Sequence, residues 1–209
     1  MSKAFVYTEL QTLKPFTDAI WRESNPRLLD QPGLVNKTWL AGVETHSIGG
    51  FYEFDSVEHA RRFAVEVFPT RARALGVAQT ARVFDGAVVE EASRDMNSMH
   101  FAGSLRSRPE AFVYTELQIS VPFAEAPWRE INPMLKAQPG LLHKTWLSGV
   151  GTQSVGGFYA FDTLANATRF VTDYFPTETQ ALGVAYTTRL FDGSLVESAS
   201  RPMQSPFFA

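Results

Sequence analysis

The 209-residue sequence predicts an α+β protein built from two ferredoxin-like β-α-β-β-α-β repeats. Three observations lead there. Ala4 to Ala102 aligns with Ala111 to Ala209 without a gap, at one offset (111 − 4 = 107), and about 60 of roughly 99 pairs are identical. Each copy alternates strand-length runs with helical patterns in the same order. Several strands carry large apolar groups on both faces (Phe5 and Val6, Trp39 and Leu40, Phe51 and Tyr52), as in a sheet covered on both sides.

The elements of the first copy follow in order. AFVYTEL is a β-rich run of strand length. Pro15 is placed to open a helix whose stripe is Phe16, Ala19 and Ile20. Asn25-Pro26 predicts a break, because proline removes a helical hydrogen bond, followed by a second short helix capped by Asn25. Pro32-Gly33 ends that segment. LVNKTWLAG and SIGGFYEFD read as two strands of a hairpin. Asp55 and Ser56 then cap a helix that places Ala60, Phe63, Ala64, Val67 and Phe68 on one face. Pro69 stops or kinks it, Gly76 closes its last turn, and VAQTARVFD supplies the fourth strand.

The predicted organisation is therefore repeat 1 over 1–102, a turn-rich linker over 103–110, and repeat 2 over 111–209. A unit of this size buries too little surface to leave a sheet face open. The two sheets are expected to meet face to face as an intramolecular pseudo-dimer, a tandem duplication in one chain. Association of pseudo-dimers into a larger homo-oligomer is compatible with this.

Composition narrows the function. With 44% hydrophobic and 20% charged residues the chain is globular rather than disordered. The absence of cysteine excludes disulfides, thiolate metal sites and cysteine nucleophiles, and suits a cytoplasmic location. MSKAFVYTEL leaves no room for a signal peptide, and no apolar run approaches bilayer length. The net charge of −3 with no Lys/Arg cluster argues against nucleic acid. His46, His59, His100 and His143 are scattered and fit surface or loop positions better than a metal or haem ligand set. There is no GxGxxG, and the Gly-Gly of SIGGFYEF sits within a strand, where it reads as close packing beside a large neighbour such as Trp39.

What remains is a set of polar and aromatic residues present in both copies. Tyr7 and Glu9 (Tyr114, Glu116) share a face of strand one, and Lys37 and Trp39 (Lys144, Trp146) share a face of strand two. Tyr52 (Tyr159) lies on strand three, Arg82 (Arg189) on strand four, and Trp21 (Trp128) on the first helix. A structural role is available for each: Glu9 with Arg82 as a cross-strand ion pair, the tryptophans as core. As an ensemble they suit an apolar cavity for a small aromatic substrate. Tyr52 or Glu9 would handle protons if burial moves its pKa toward neutrality, and Arg82 or Lys37 would stabilise an oxyanion. Which strand face meets the helices depends on a register that is open by one residue. Glu53, replaced by Ala160 in copy two, points away from Tyr52 and is not expected to be a catalytic acid.

At PGLVNKTWL, GGFYEFD, ALGV and RVFD the sequence resembles the YdhR-like monooxygenase family of the dimeric α/β-barrel superfamily. The resemblance covers nearly all of each copy. It implies a pocket between sheet and helices in each unit. It also implies a cofactor-independent monooxygenase acting on a small aromatic or polyketide-type substrate with molecular oxygen as co-substrate. A cyclase or dehydratase on the same scaffold, and a non-catalytic small-molecule binding protein, are the alternatives. Here both units lie in one polypeptide, whereas the family's members are single units that dimerise.

Overall fold

A computed structural model describes residues 3–12 and 14–208; the side chains of Asp18 and Ala19, the latter part of the expected helix stripe, lie outside the described residues. The first copy contributes β1 (Ala4–Leu10), α1 (Asp18–Leu29), β2 (Leu34–Ala41), β3 (Ile48–Phe54), α2 (Val57–Arg62), α3 (Phe68–Leu75) and β4 (Gln79–Asp85). After β4 come α4 (Glu90–Asp95) and a single 3-10 turn. The second copy repeats this order as β5 (Ala111–Leu117), α5 (Trp128–Lys136), β6 (Leu141–Ser148), β7 (Val155–Phe161), α6 (Leu164–Arg169), α7 (Phe175–Leu182), β8 (Tyr186–Asp192) and α8 (Glu197–Ser200). The sheets run β2-β3-β1-β4 and β6-β7-β5-β8, the strand order of the split βαβ unit, and every residue of β1 is buried.

The compact units divide the chain differently from the sequence repeats. One unit comprises Met1–Asp85 with Asp192–Ala209, the other Gly86–Phe191. The segment after β4 therefore belongs with the second copy's sheet, and the segment after β8 with the first copy's. Each arm covers the outer edge of a β2-type strand, whose backbone N–H groups no neighbouring strand can satisfy. In the first unit Ser200 Oγ accepts the Trp39 N–H at 2.9 Å, and the Thr38 and Ser205 hydroxyls lie 2.7 Å apart. In the second, Ser93 Oγ accepts the Trp146 N–H at 2.9 Å, and Met96 O accepts the Lys144 N–H at 3.2 Å.

Three local expectations are corrected. Helix α1 starts at Asp18 rather than Pro15 and runs unbroken through Pro26, so Asn25 is no cap. Its buried amide instead accepts the Trp39 indole N–H and donates to Ala199 O, both at 2.9 Å, fixing the helix to sheet and arm across the proline. Pro69 does not stop its helix either. A π-helical turn over Phe63–Val67 lets the Phe68 N–H reach Phe63 O and carries the chain into α3 with Pro69 in its first turn. Proline clashes with the carbonyl four residues back, and a widened turn relieves that clash. The same turn recurs over Phe170–Tyr174. Finally, His100 and His143 are buried rather than surface residues, and His143 Nδ1 donates to Asn97 O of the arm at 2.8 Å.

The arms predict a stability effect. Ser200→Ala and Ser93→Ala each leave a buried tryptophan N–H without its acceptor, and each is expected to cost about 1–3 kcal/mol in urea unfolding. A change within ±0.5 kcal/mol in both variants would contradict the edge-covering role.

Candidate functional site

The register settles which candidates meet the helices. A shift between Leu34 and Asn36 aligns Lys37 with Tyr52 and Trp39 with Gly50 on the neighbouring strand. Val6 and Thr8 of β1 lie opposite Tyr52 and Gly50, so these residues share one face. The helices lie on that face, with the Phe63 ring 4.9 Å from Tyr52 and 5.4 Å from Phe54. Tyr7 pairs with Arg82 and Phe51 and belongs to the opposite face. The structure thus brings Lys37, Trp39 and Tyr52 together, and Lys144, Trp146 and Tyr159 likewise, but does not join Tyr7, Glu9 or Arg82 to them.

The buried lysine organises the cluster. Lys37 is 1% exposed, with Nζ 2.7 Å from the Trp39 ring centroid and 4.9 Å from that of Tyr52. Lys144 repeats this at 2.8 and 5.0 Å over Trp146 and Tyr159. The repeated Gly-Gly follows from it. A Cβ on Gly50 would lie 2.5 Å from Lys37 Cε, and one on Gly49 would strike the Thr8 carbonyl. The glycine makes room for a lysine stem, where packing beside Trp39 was expected.

Burial first, and then the Arg71 guanidinium, hold the Lys37 amine well below its usual range; burial alone does so for Lys144. Burial pushes Tyr52 up to about 12, against the smaller opposing effects of a Thr8 hydrogen bond and Arg71, and pushes Tyr159 up as well. The expectation that burial brings Tyr52 toward neutrality is therefore reversed. The tyrosines stay protonated and the lysines lose their advantage as cations.

Elsewhere the candidates have structural settings. Tyr7 donates to Glu9 at 2.9 Å, and Tyr114 to Glu116 at 2.7 Å, where Ser154 donates to the other carboxylate oxygen at 2.6 Å. Arg82 and Arg189 are exposed. Trp21 is buried and Trp128 half-buried, each stacked by the following arginine at 4.5 and 4.2 Å. Glu53 lies on the face opposite Tyr52, ion-paired with Lys3 at 2.7 Å. Among the described residues no group of three or more His, Asp or Glu is arranged to hold a metal ion.

A cavity opens at the same place in both units, between the Pro-Gly turn and the widened helix. In the second unit it measures about 280 Å³ and is bounded by Gln138, Pro139, Asn166, Arg169, Phe170, Asp173 and Tyr174. In the first it shrinks to about 50 Å³ beside His59, Phe63 and Val67. The Lys144–Trp146–Tyr159 cluster lies behind Phe170, whose ring is 5.0 Å from Tyr159. None of the residues taken from the sequence as catalytic or substrate-binding candidates lines either cavity, whereas His59 and the helix-face residues Phe63 and Val67 line the smaller one.

Tyr174 is the residue that sequence reasoning missed. Its ring stacks on Phe170 at 5.4 Å and 28°. Burial, and then the charge of the Glu178 carboxylate and a hydrogen bond with it, push its hydroxyl up to about 12. The equivalent position in copy one is Val67 (174 − 107 = 67), so a search for residues common to both copies discards it. Arg71 and Glu178, equivalent positions of opposite charge, escape for the same reason.

The buried amines predict a pH dependence. Their folded-state pKa is lowered, so below about pH 10 the unfolded chain binds protons that the native state does not. Stability should rise between about pH 7 and 9, before the raised tyrosine pKa values act in the opposite sense. Lys37→Met and Lys144→Met should be more stable than the parent at pH 7 and show a flatter profile in chemical denaturation. An unchanged slope in both would show the amines to be charged.

No family model matches the chain, and no curated protein matches it significantly in sequence. Solved structures do. An anthrone oxidase-like protein superposes with a TM-score of 0.55 at 16% identity, covering 91% of this chain and 90% of its own. A monooxygenase-like protein from Listeria innocua gives 0.50 at 11% identity, covering 91% and 94%. Chlorite dismutase from Candidatus Nitrospira defluvii, solved in complex with imidazole, gives 0.53 at 9%, covering 95% of both. At these identities the likeness is one of fold. The chain has the α+β fold of the dimeric α/β-barrel proteins, with two ferredoxin-like halves.

Proposed function

We propose that the chain is a cofactor-independent monooxygenase of a small aromatic or polyketide-type substrate, working in the cavity of the second unit. The observation that carries this reading is the cavity wall itself: a stacked Phe170–Tyr174 pair beside an acidic side chain, Asp173. At about 280 Å³ it lies at the lower end of ligand-pocket sizes, which suits a compact fused-ring molecule. The fold-level likeness to an anthrone oxidase-like protein is consistent with it.

An anthrone-type substrate illustrates the chemistry. Asp173 takes a proton from the ring CH2, and the stacked Phe170 and Tyr174 rings hold the aromatic plane while the carbonyl oxygen becomes an enolate. The carbanion-like ring gives its electrons to O2. One oxygen atom becomes the new carbonyl, and the other leaves as water with the two hydrogens of the CH2 group. The electrons balance without a further reductant. The Lys144–Trp146–Tyr159 cluster behind Phe170 holds that ring in place.

Oxygen uptake with anthrone tests the reading. Uptake with one 18O atom in the quinone is expected, reduced about 100-fold or more in Asp173→Asn, within the usual range for losing a general base. Product without uptake or label would instead indicate acid–base chemistry of the cyclase or dehydratase kind. Saturable binding without turnover would indicate a binding protein.

A further inference from the structure

The two sequence repeats are joined once by the peptide chain and again by the exchanged arms. The first repeat's arm is bound to the second by Ser93 on Trp146 and by the Ser98 and Thr145 hydroxyls, 2.7 Å apart. Its Asp95 carboxylate also accepts from Asn132 Nδ2 at 2.8 Å and Lys136 Nζ at 2.7 Å. The second repeat's arm is bound to the first by Ser200 on Trp39, Ser205 on Thr38 and Ala199 O on Asn25. Val89, Ala92, Val196 and Ala199 are at most 1% exposed, so each arm also buries an apolar side.

The covalent joint is slight by comparison. Asn97 pins its start, donating to Ser104 O at 3.0 Å and accepting the Ser104 N–H at 2.9 Å. The Glu110 N–H pins its end, donating to Phe161 O at 3.0 Å. Between the pins Leu105, Arg106, Ser107 and Arg108 are exposed and belong to no helix or strand. Endopeptidases cut such backbone because they must draw several residues into an extended cleft. Basic side chains decide which bond. Of the 19 Lys and Arg residues, Lys14, Arg108 and Arg201 precede proline, whose ring shields the bond before it. Lys3 is held by Glu53, and the others lie in strands or helices, Arg106 excepted.

We infer that the Arg106–Ser107 bond is a processing site for an arginine-specific endopeptidase, and that the product is a stable two-chain protein tied by its exchanged arms. Water adds across the bond. The C–N bond breaks, Arg106 gains a carboxylate and Ser107 an ammonium group, and no other atoms are exchanged. Both new ends fall between the pins at Ser104 and Glu110, away from the arm contacts. Each fragment still completes the other's compact unit, since 86–106 belongs with the second and 192–209 with the first. Separation then requires both arms to leave their strand edges, whose N–H groups would lose their acceptors. The cut removes only the tether's contribution to effective concentration.

Limited treatment of the full chain with trypsin tests this. The first cut is expected after Arg106, giving fragments 1–106 and 107–209 that coelute, with a native mass one water above the parent's. Arg106→Gln should remove that cut. Ser93→Ala combined with Ser200→Ala should leave the uncut chain folded, as thermal unfolding reports. The cut form of this variant should come apart about 10-fold or more readily on dilution than the cut parent. If the pair does not fold, Ser205→Ala alone replaces it, with a smaller change in the same direction. A first cut inside a helix or strand, a linker that survives while other bonds are cut, or immediate separation of the parent's fragments would overturn the inference. So would a cut Ser93→Ala/Ser200→Ala complex as tight as the cut parent, which would put the tie elsewhere than in the arms.

Discussion

The backbone N–H groups along the outer edge of β2 and β6 set the terms for the rest of the molecule. These strands end their sheets, and the tryptophans on them are almost fully buried, so their N–H groups need acceptors that neither sheet provides. A serine on a short helix supplies the acceptor in each unit, and the helix comes from the arm that follows the other copy's last strand. Asn25 and Asn132 tie the same tryptophans to the first helix and to the arm in one network. Three elements, the edge strand, the first helix and the arm, are held in register by a few hydrogen bonds around one indole. That explains why an asparagine-proline step sits in a helix that could otherwise break there.

Above this scaffold lies a second constraint, the lysine buried between sheet and helices. Its stem demands a glycine on the facing strand, and its amine sits over an indole and a phenol. Charged, it would lose far more in desolvation than ring contacts return, which is why its neutral form is favoured. The widened helical turn then brings a phenylalanine down on the tyrosine and frees the following positions to frame the cavity. In the first unit that frame is filled. In the second it is open.

Much of the fold was legible in the sequence because it rests on local patterns. Strand runs, the hairpin, the Gly76 helix end and the strand order follow from periodicity and turn chemistry, and Gly76 indeed sits at φ 67°. The arms were not legible. GAVVEEASRDMNSMHFA has weak periodicity and becomes a short helix only against a distant strand edge. The π-helical turn was hidden too, since a proline in a helical pattern reads as a stop. The site was half visible. Lys37, Trp39 and Tyr52 do form one cluster, but Tyr7, Glu9 and Arg82 lie on the opposite face of their sheet. Tyr174 was concealed by the very symmetry that revealed the fold.

The exchange of arms also sets an order of completion. The unit spanning Gly86–Phe191 is continuous in the chain, whereas the other joins the first 85 residues to the last 18. On a ribosome the first sheet is synthesised early and then waits, its β2 edge uncovered, until the final residues emerge. The second sheet receives its arm before its own strands exist. The half of the molecule that is made first is therefore the half that is finished last, and its long-range closure belongs to the slow class of folding steps.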